Sequence, residues 1–513
     1  MKASKLNPML RDHINKTSGG GNGNPGSILN VGFRIFSAAL IAILAGCAVG
    51  PNYQRPAVDM PARFRSAASD TKDLSAAESL ANLGWWQVMD DPQLQSYIAE
   101  ALTNSWDIQI AAARVLQAEA AARVTRSQFM PTVGAGADWI TTRASENGPT
   151  GIPAGIDPQK EYGSVYGTMA TYELDLWGRI RRANEAARAQ VLVTQAAQQT
   201  VRQTLVAQVA VAYLSLLELD FELEIAERTY DARTNSLMLT QARQTGGVAS
   251  MQDVHQAQVL VSTAEAAIVD TQRRIEQQEN EINLLLGRNP GPVQRGDGFL
   301  QQKLEITVPP GLPSDLIDRR PDIRAAEQQL IAANADIGQA KAAFFPKVTL
   351  TGLYGFQSVA LADLFQSGSR IWQFGPAVTM PLFTGGALKG NLNLARAVFE
   401  EAIAQYQKTV QNSFREVSDS LIDYQRTREF RARQEETTQA YRSSADLANT
   451  RYEGGVTSYL EVLYNEQELF SAEINLAKAR LNELLSVVAL YRSLGGGWET
   501  SPRPTEIHAG TGE

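Results

Sequence analysis

The chain contains an internal duplication, and this feature constrains its fold more than any other. An Ala-rich run that ends before Pro131 recurs 215 residues later, where it ends before Pro346. The turn residues recur 208 residues later: Gly246, Gly247 and Val248 become Gly454, Gly455 and Val456. Self-similarity at a fixed offset indicates one structural unit used twice. The chain should therefore contain two similar halves.

Each half shows the same order of patterns. The first half, 91–286, begins with helical periodicity, continues with the alternation typical of strands, and ends with a long helical pattern that reverses at a Gly-Gly turn. We predict a helix over 91–128, strands at about 131–142 and 162–175, and a hairpin tip at 245–250. The second half, 315–498, predicts strands at about 346–357 and 371–382 and a tip at 453–458. Residues 287–314 form a Pro/Gly-rich linker, and 499–513 form a polar tail predicted to be disordered.

The long helical patterns are typical of coiled coils. A helix from Ile180 to Gln244 would be about 97 Å long. Apolar residues recur along it at alternating spacings of four and three, namely Leu205, Val209, Ala212, Leu216, Leu219 and Leu223. The return helix has the same spacing at Val254, Ala257, Val261, Ala264 and Ile268. This spacing places apolar residues along one seam of each helix, so each half should end in a long helical hairpin.

The predicted strands are close to the length that crosses a bilayer, about 9–11 residues. A four-stranded open sheet leaves unpaired edges that lipid cannot satisfy, so such a sheet must close by assembly. Two copies would supply eight strands and three copies twelve, and either number can close a barrel. A soluble sheet packed against helices is the alternative that the strand patterns leave open.

The N-terminus has the features of an export signal over residues 1–46. A basic flank precedes a short apolar run, 35–43, and small residues precede Cys47. The sequence Leu44-Ala45-Gly46-Cys47 resembles the bacterial lipobox, which implies N-acyl and S-diacylglycerol groups on the chain's single cysteine. Residues 47–90 would then be a lipidated N-terminal segment, and Ala48 favours the outer membrane. An ordinary signal peptide with a chance cysteine is the alternative.

The composition does not support an enzyme or a nucleic-acid-binding protein. The chain has three histidines, at 13, 255 and 508, and no phosphate-loop motif. Its formal net charge of -8 provides no basic surface for nucleic acid. We therefore predict no catalytic residue, no metal site and no nucleic-acid partner.

Six segments resemble the outer-membrane factor family, the TolC/OprM-like efflux ducts, and most closely its lipoprotein (NodT-like) branch. They are Cys47–Tyr53, Trp85-Trp86 with Asp91-Pro92, Asp175–Arg179, Arg319–Ile323, Phe344–Pro346, and Arg451-Tyr452. The resemblance implies a mixed α and β membrane protein. It would be a homotrimer with a single 12-stranded transmembrane β-barrel, four strands from each chain, continued by a long periplasmic α-helical coiled-coil tube.

The same resemblance implies the exit duct of a tripartite efflux pump in the outer membrane. Such a duct is a passive conduit for small molecules, drugs among them, and docks a periplasmic adaptor and an inner-membrane pump at its tip. Two alternatives stay open. One is a metal-ion exporter duct of the same family, which the absence of a Met/His/Cys-rich track disfavours. The other is a non-channel coiled-coil outer-membrane lipoprotein.

The resemblance also assigns a gate at the tips. Acidic positions of the family match Asp253 and Glu461, and a tyrosine that ties neighbouring hairpins matches Tyr452. Thr457 stands where the family has an arginine, so a nearby arginine is expected to replace it. The predicted gate residues are Asp253, Tyr452, Glu461, Arg243 and Arg451. Alternatively, the two acids only stabilise the first turns of their helices.

The tip turns are candidates for contact with the adaptor. The residues are Gly246, Gly247, Val248, Ser250, Gly454, Gly455, Val456 and Ser458. The alternative for the glycines is that a helix reversal requires positive φ. This alternative leaves the repeated valines and serines unexplained.

Overall fold

A computed structural model of the chain describes residues 48–61, 64, 83–146, 148, 155–302 and 313–497. The predicted signal peptide, Cys47 and the polar tail lie outside the described residues. The first half comprises α1 (Trp85–Val88), α2 (Pro92–Asn104), α3 (Trp106–Ser127), β1 (Val133–Arg143), β2 (Gln159–Leu174), α4 (Arg179–Thr245) and α5 (Met251–Leu285). The second comprises α6 (Pro313–Arg319), α7 (Pro321–Ala342), β3 (Lys347–Ser358), β4 (Arg370–Thr379), α8 (Ala387–Glu453) and α9 (Tyr459–Ser493).

The two halves match element by element. Helices α4 and α8 both have 67 residues, α5 and α9 both have 35, and α3 and α7 both have 22. The offset is 208 residues throughout both hairpins and 215 between α3 and α7. Every hairpin residue therefore has a defined equivalent in the other half.

The prediction of one helix over 91–128 is wrong, because Ser105 separates α2 from α3. Ser105 has an extended backbone (φ -56°, ψ 134°), which ends α2 and lets α3 leave at an angle. Helix α2 is anchored by Asp91, whose Oδ1 accepts hydrogen bonds from the Gln93 and Leu94 amides. The bend allows α2 to bury one face against α4. Strand β4 also ends earlier than predicted, at Thr379, because its partner β3 begins at Lys347, which lies opposite Thr379.

The strands form one antiparallel sheet in the order β1-β2-β3-β4. The central pair joins the halves, with Val165 opposite Phe356, and β2 contains an irregularity between Met169 and Tyr172. Strands β1 and β4 each have one edge without a partner strand among the described residues. The sheet is thus open on both sides.

The helices pack against one another in a layer with α4 at its centre. Helix α4 contacts α3, α5, α7 and α9. An 18-residue window of α4 is apolar enough to cross a membrane, but 67% of that window is buried inside the chain's own structure. Near the middle of α4, Tyr213 connects the helix to the inter-repeat segment 287–314. Its Oη donates a hydrogen bond to Asp91 at 3.1 Å and accepts one from Gly296 N at 2.8 Å. We therefore interpret α4 as the core helix of the layer.

Two buried carboxylates lie one turn apart on α4. Glu218 and Glu222 are 3% and 2% exposed. Glu222 pairs with Arg274 of α5 at 2.7 Å and with Lys478 of α9 at 3.2 Å. Burial and then the charge of Glu222 raise the pKa of Glu218 to about 8. Glu218 therefore holds a proton to higher pH than an ordinary glutamate, at the meeting point of three helices.

The free energy of unfolding should fall as pH rises from about 4.5 to about 8. Below this window Glu218 is protonated in both states, and within it only the folded chain keeps the proton, so the stabilisation is lost progressively up to the folded pKa. One proton contributes a slope of at most about 1.4 kcal/mol per pH unit. Thermal unfolding in detergent should show a flatter pH dependence for Glu218→Gln than for the wild type. The exposed-site control Glu224→Gln should keep the wild-type slope, and equal slopes for all three proteins would contradict the assignment.

Candidate functional site

Each hairpin tip is built on one glycine in the left-handed region. Gly247 has φ of 78°, and its equivalent Gly455 has φ of 73°. At the first tip, Val248 N donates to Arg243 O at 2.9 Å, which closes α4 with a Schellman-type cap. The preceding glycine, Gly246, has a right-handed backbone with φ of -76°. The reversal therefore requires only the second glycine of each turn.

The apex of each tip exposes a valine. Val248 is 71% exposed and Val456 is 72% exposed. The helix reversal does not need an apolar side chain at this position. Their role, and that of the other tip residues, in adaptor contact stays a prediction.

The equivalent acids at the two tips have different partners. Asp253 forms a capping box with Ser250: its carboxylate accepts from Ser250 N at 2.9 Å, and Ser250 Oγ accepts from Asp253 N at 3.2 Å. Ser458, the equivalent of Ser250, makes no side-chain cap bond. Glu461 instead pairs with Arg451 at 3.3 Å and accepts a hydrogen bond from Thr457 Oγ1. Asp253 therefore caps its own helix, α5, whereas Glu461 joins α8 to α9.

Arg243 and Tyr452 connect the two hairpins. The guanidinium of Arg243 lies 4.5 Å from the centroid of the Tyr452 ring, and its Nη1 donates to Tyr452 O at 3.1 Å. The Tyr452 side chain is buried, and its hydroxyl has no hydrogen-bond partner within the described parts of the chain. The ring, rather than the hydroxyl, is thus the functional part of Tyr452 in this contact.

Two further residues, Arg233 and Tyr459, also join the hairpins and were not predicted from the sequence. Arg233 is 2% exposed and donates to Leu260 O at 3.0 Å and to Gln467 Oε1 at 3.2 Å. Tyr459 shares a hydrogen bond of 3.2 Å with Ser236, and burial raises its pKa. The sequence does contain a signal for Arg233. The alternating spacing of the α4 seam continues from Leu223 through Ala226 and Tyr230 to position 233, where an apolar residue is expected.

The sheet has one mostly apolar face, and its opposite face is mixed. The strand registers align one row of side chains: Val133, Ala137, Trp139, Val165, Met169, Leu174, Val348, Leu350, Tyr354, Phe356, Trp372, Phe374 and Val378. The apolar face also carries Thr141, Ser358 and Arg370. The opposite face carries the polar residues Asp138, Thr142, Ser164, Thr168, Glu173, Thr349, Thr351, Gln357, Gln373 and Thr379, together with Ile140, Tyr162, Tyr166, Leu353 and Ile371. On the apolar face, Trp372 is 75% exposed and Phe374 is 63% exposed. Such a face needs an apolar environment outside the chain.

The described N-terminal end is fixed where the strands meet the helices. Trp177 stacks on Phe345 at 4.8 Å and donates from Nε1 to Pro346 O at 2.8 Å. Val49 N donates to Trp177 O at 3.0 Å, so the segment that follows Cys47 begins at this junction. Within the described ranges, no group of three or more His, Cys, Asp and Glu side chains is placed to hold a metal ion.

Ser250→Ala should loosen the first turn of α5 by about 1 kcal/mol, because it removes the accepting half of the capping box. Hydrogen exchange of the amides at residues 251–254 should report this as faster exchange. The matched control is Ser458→Ala, which removes a side chain without a cap bond and should change exchange at 459–462 much less. Equal acceleration at both tips would contradict the different roles of the two serines.

Comparison with known proteins identifies the family. The chain matches the family described as outer membrane efflux protein over residues 97–288 and 312–496. It is 37% identical over 476 residues to the solvent efflux pump outer membrane protein SrpC of Pseudomonas putida, covering 91% of this chain and 99% of the relative. It is 35% identical over 484 residues to outer membrane protein OprJ of Pseudomonas aeruginosa, covering 92% and 98%.

A solved structure agrees with these matches. The open state of the Neisseria gonorrhoeae MtrE outer membrane channel superposes with a TM-score of 0.79 at 30% identity, covering 88% of this chain and 99% of that chain. The resemblance predicted from the sequence is confirmed by both kinds of comparison. The chain belongs to the outer membrane efflux protein family.

Proposed function

We propose that the chain is the outer-membrane exit duct of a tripartite efflux pump, formed by three copies. The trimer would enclose one twelve-stranded barrel and a periplasmic helical tube that conducts small molecules, drugs among them, to the exterior. The observation that carries the proposal is the open sheet with one mostly apolar face, because closure of such sheets gives a barrel with an apolar outer surface in lipid and a polar bore. A non-channel coiled-coil lipoprotein does not account for this sheet.

The helical layer also lacks a neighbour on one side. Helix α7 lies between α4 and α8 and has eleven buried residues, whereas its equivalent α3 has two. Helix α4 packs against α7, but its equivalent α8 makes no comparable contact with α3 among the described residues. Because the halves are equivalent, α8 of one copy should pack against α3 of the next.

The same reasoning applies to the strands. Strands β2 and β3 pair across the junction between the halves. The equivalent pairing joins β4 of one copy to β1 of the next and removes both free edges. Two copies or three would close the barrel, and the family resemblance favours three.

A lipid anchor on Cys47 suits this arrangement. Ala48 lies beside Gly178, where an added Cβ would come within 2.7 Å of the Ala48 Cβ, at the junction between strands and helices. Acyl groups on the preceding cysteine would then lie near the inner leaflet of the outer membrane. The anchor would be the protein's covalent lipid, with no other cofactor and no catalytic residue assigned.

The tip is proposed as the gate. In the trimer, Asp253 and Glu461 would contribute six carboxylates around the bore, which favours cations. The Arg243–Tyr452 contact holds the two hairpins of each chain together, and Arg451 fixes Glu461. The exposed valines of the turns would face a periplasmic adaptor and, beyond it, an inner-membrane pump.

Native mass spectrometry of the detergent-solubilised outer-membrane fraction should show three chains, each beginning at Cys47 and each carrying acyl mass. Cys47→Ser should lack the acyl mass. A soluble monomer, or an unacylated wild-type chain in the inner membrane, would overturn the proposal.

The variant Asp253→Ala/Tyr452→Ala should raise single-channel conductance in lipid bilayers several-fold, because it removes both the tip acid and the ring that Arg243 contacts. The matched control is Tyr452→Phe, which keeps the ring and deletes a hydroxyl that has no partner among the described residues. Its conductance should equal that of the wild type. Unchanged conductance in the double variant would count against the gate.

A further inference from the structure

A cavity of about 600 Å³ lies between the two hairpins of one chain. Residues of α4, α8 and α9 line it, so the first hairpin supplies one wall and the second hairpin supplies the others. Arg233, in the α4 wall, precedes Gly246 by 13 residues, which places the cavity about 20 Å from the tip. Pockets that hold small ligands usually enclose about 300–1,000 Å³. The cavity is therefore large enough for a small organic molecule.

Two arginines, one from each hairpin, are held at this cavity by a shared carboxylate. Arg228 Nη2 and Arg442 Nη2 each donate a hydrogen bond to Glu473, both at 2.7 Å. The Glu473 side chain is 9% exposed, whereas the side chains of Arg228 and Arg442 are 55% and 48% exposed. A guanidinium has five N–H donors, and among the described residues the bond to Glu473 uses one on each arginine. Both arginines are thus fixed in position and keep donors for a ligand.

The buried guanidinium of Arg233 has no carboxylate bonded to it within the described ranges. Arg233 is 2% exposed, and its acceptors, Leu260 O and Gln467 Oε1, are both uncharged. Glu466 lines the same cavity, but burial raises the pKa of Glu466 and so favours its neutral form. Burial likewise lowers the pKa of Arg233, as expected for a cation without a bonded partner. An anion in the cavity would offset this charge.

The cavity also offers an apolar surface beside its charges. Leu469 and Phe470 of α9 line it, together with Ala232 of α4. The guanidinium carbon of Arg233 lies 5.2 Å from the centroid of the Phe470 ring. A ligand that combines an anionic group with an apolar body would therefore match both parts of the lining.

The duplication does not account for this group of residues. None of Arg228, Arg442 and Phe470 recurs at the offset of 208, where the chain has Glu436, Thr234 and Ser262. Residues needed only to pack two helices of a hairpin would be expected in both halves, since the hairpin helices have equal lengths. The set is therefore specific to this cavity.

We propose that this cavity binds a small organic anion with an apolar body. The anionic group accepts hydrogen bonds from Arg228 and Arg442, which bind oxyanions with charged donors, and the body packs against Leu469 and Phe470. Because each hairpin supplies one of the two arginines, the bound anion joins the hairpins. All lining residues belong to one chain, so the site goes beyond the proposed duct and does not depend on the number of copies.

Binding of 4-(trifluoromethyl)benzoate to the full chain in phosphatidylcholine nanodiscs tests the site by fluorine NMR. We expect line broadening that saturates with ligand concentration and exceeds the broadening by empty nanodiscs. The compound 4-(trifluoromethyl)benzamide has the same body without the charge and should broaden much less. Equal binding of both compounds, or no saturable binding of the benzoate, would overturn the proposal.

The variant Arg228→Gln/Arg442→Gln should weaken benzoate binding about tenfold or more, because it removes both charged donors. The matched control Arg426→Gln/Arg433→Gln removes two exposed arginines of α8 that do not line the cavity and should keep the wild-type affinity. Equal weakening in both variants would reflect net charge alone and contradict the assigned site.

A second variant covers the case in which the first does not fold. Ala232→Trp fills the cavity from α4, keeps all three arginines and should abolish saturable binding. Asp446→Asn removes an exposed carboxylate from the lining and should strengthen binding severalfold. Unchanged affinity in folded Ala232→Trp would place the anion elsewhere and refute the site, and weaker binding to Asp446→Asn would contradict the charge assigned to the ligand.

Discussion

A strand in lipid must pair every backbone amide and carbonyl, because no water is available to replace a missing partner. Strands β1 and β4 each leave one edge open among the described residues, while the exposed Trp372 and Phe374 mark an apolar face. These two facts act together. The apolar face favours insertion, and insertion is possible only when the edges are paired. The proposed assembly of copies therefore follows from backbone hydrogen bonding before any contact between helices is considered.

Much of this architecture could be predicted from the sequence, because periodicity is a local property. The two offsets and the heptad seams place the long helices and their turns within a few residues of where they lie. The break at Ser105 could not be predicted in this way, since neither Gly nor Pro marks it. An arginine at seam position 233 departs from the local pattern, but its contacts could not be predicted, because its partners Leu260 and Gln467 are 27 and 234 residues away. Contacts of that kind depend on how helices meet, which no local pattern encodes.

The two tips show how duplicated sequence acquires different roles. Arg243 and Arg451 are equivalent, as are Asp253 and Glu461. Arg451 reaches Glu461 within its own hairpin, whereas Arg243 turns to Tyr452 in the other hairpin. The shorter side chain of Asp253 binds the backbone of Ser250 instead. Asp253 is one methylene shorter than Glu461, and Arg243 contacts the Tyr452 ring. The arginine contact within the second hairpin is thus replaced at the first tip by a contact between hairpins.

The equal lengths of the hairpin helices constrain the insertions and deletions that such a sequence can accept during evolution. Helices α4 and α8 both span 67 residues, which is about 100 Å. Each turn therefore lies one helix of the same length beyond the strand segment that precedes it. A deletion in only one of these helices would place the two tips at different distances from the strands and shift its seam residues out of register with those of the neighbouring helix. Insertions and deletions should therefore be tolerated in these helices only when both change together, by a whole number of heptads.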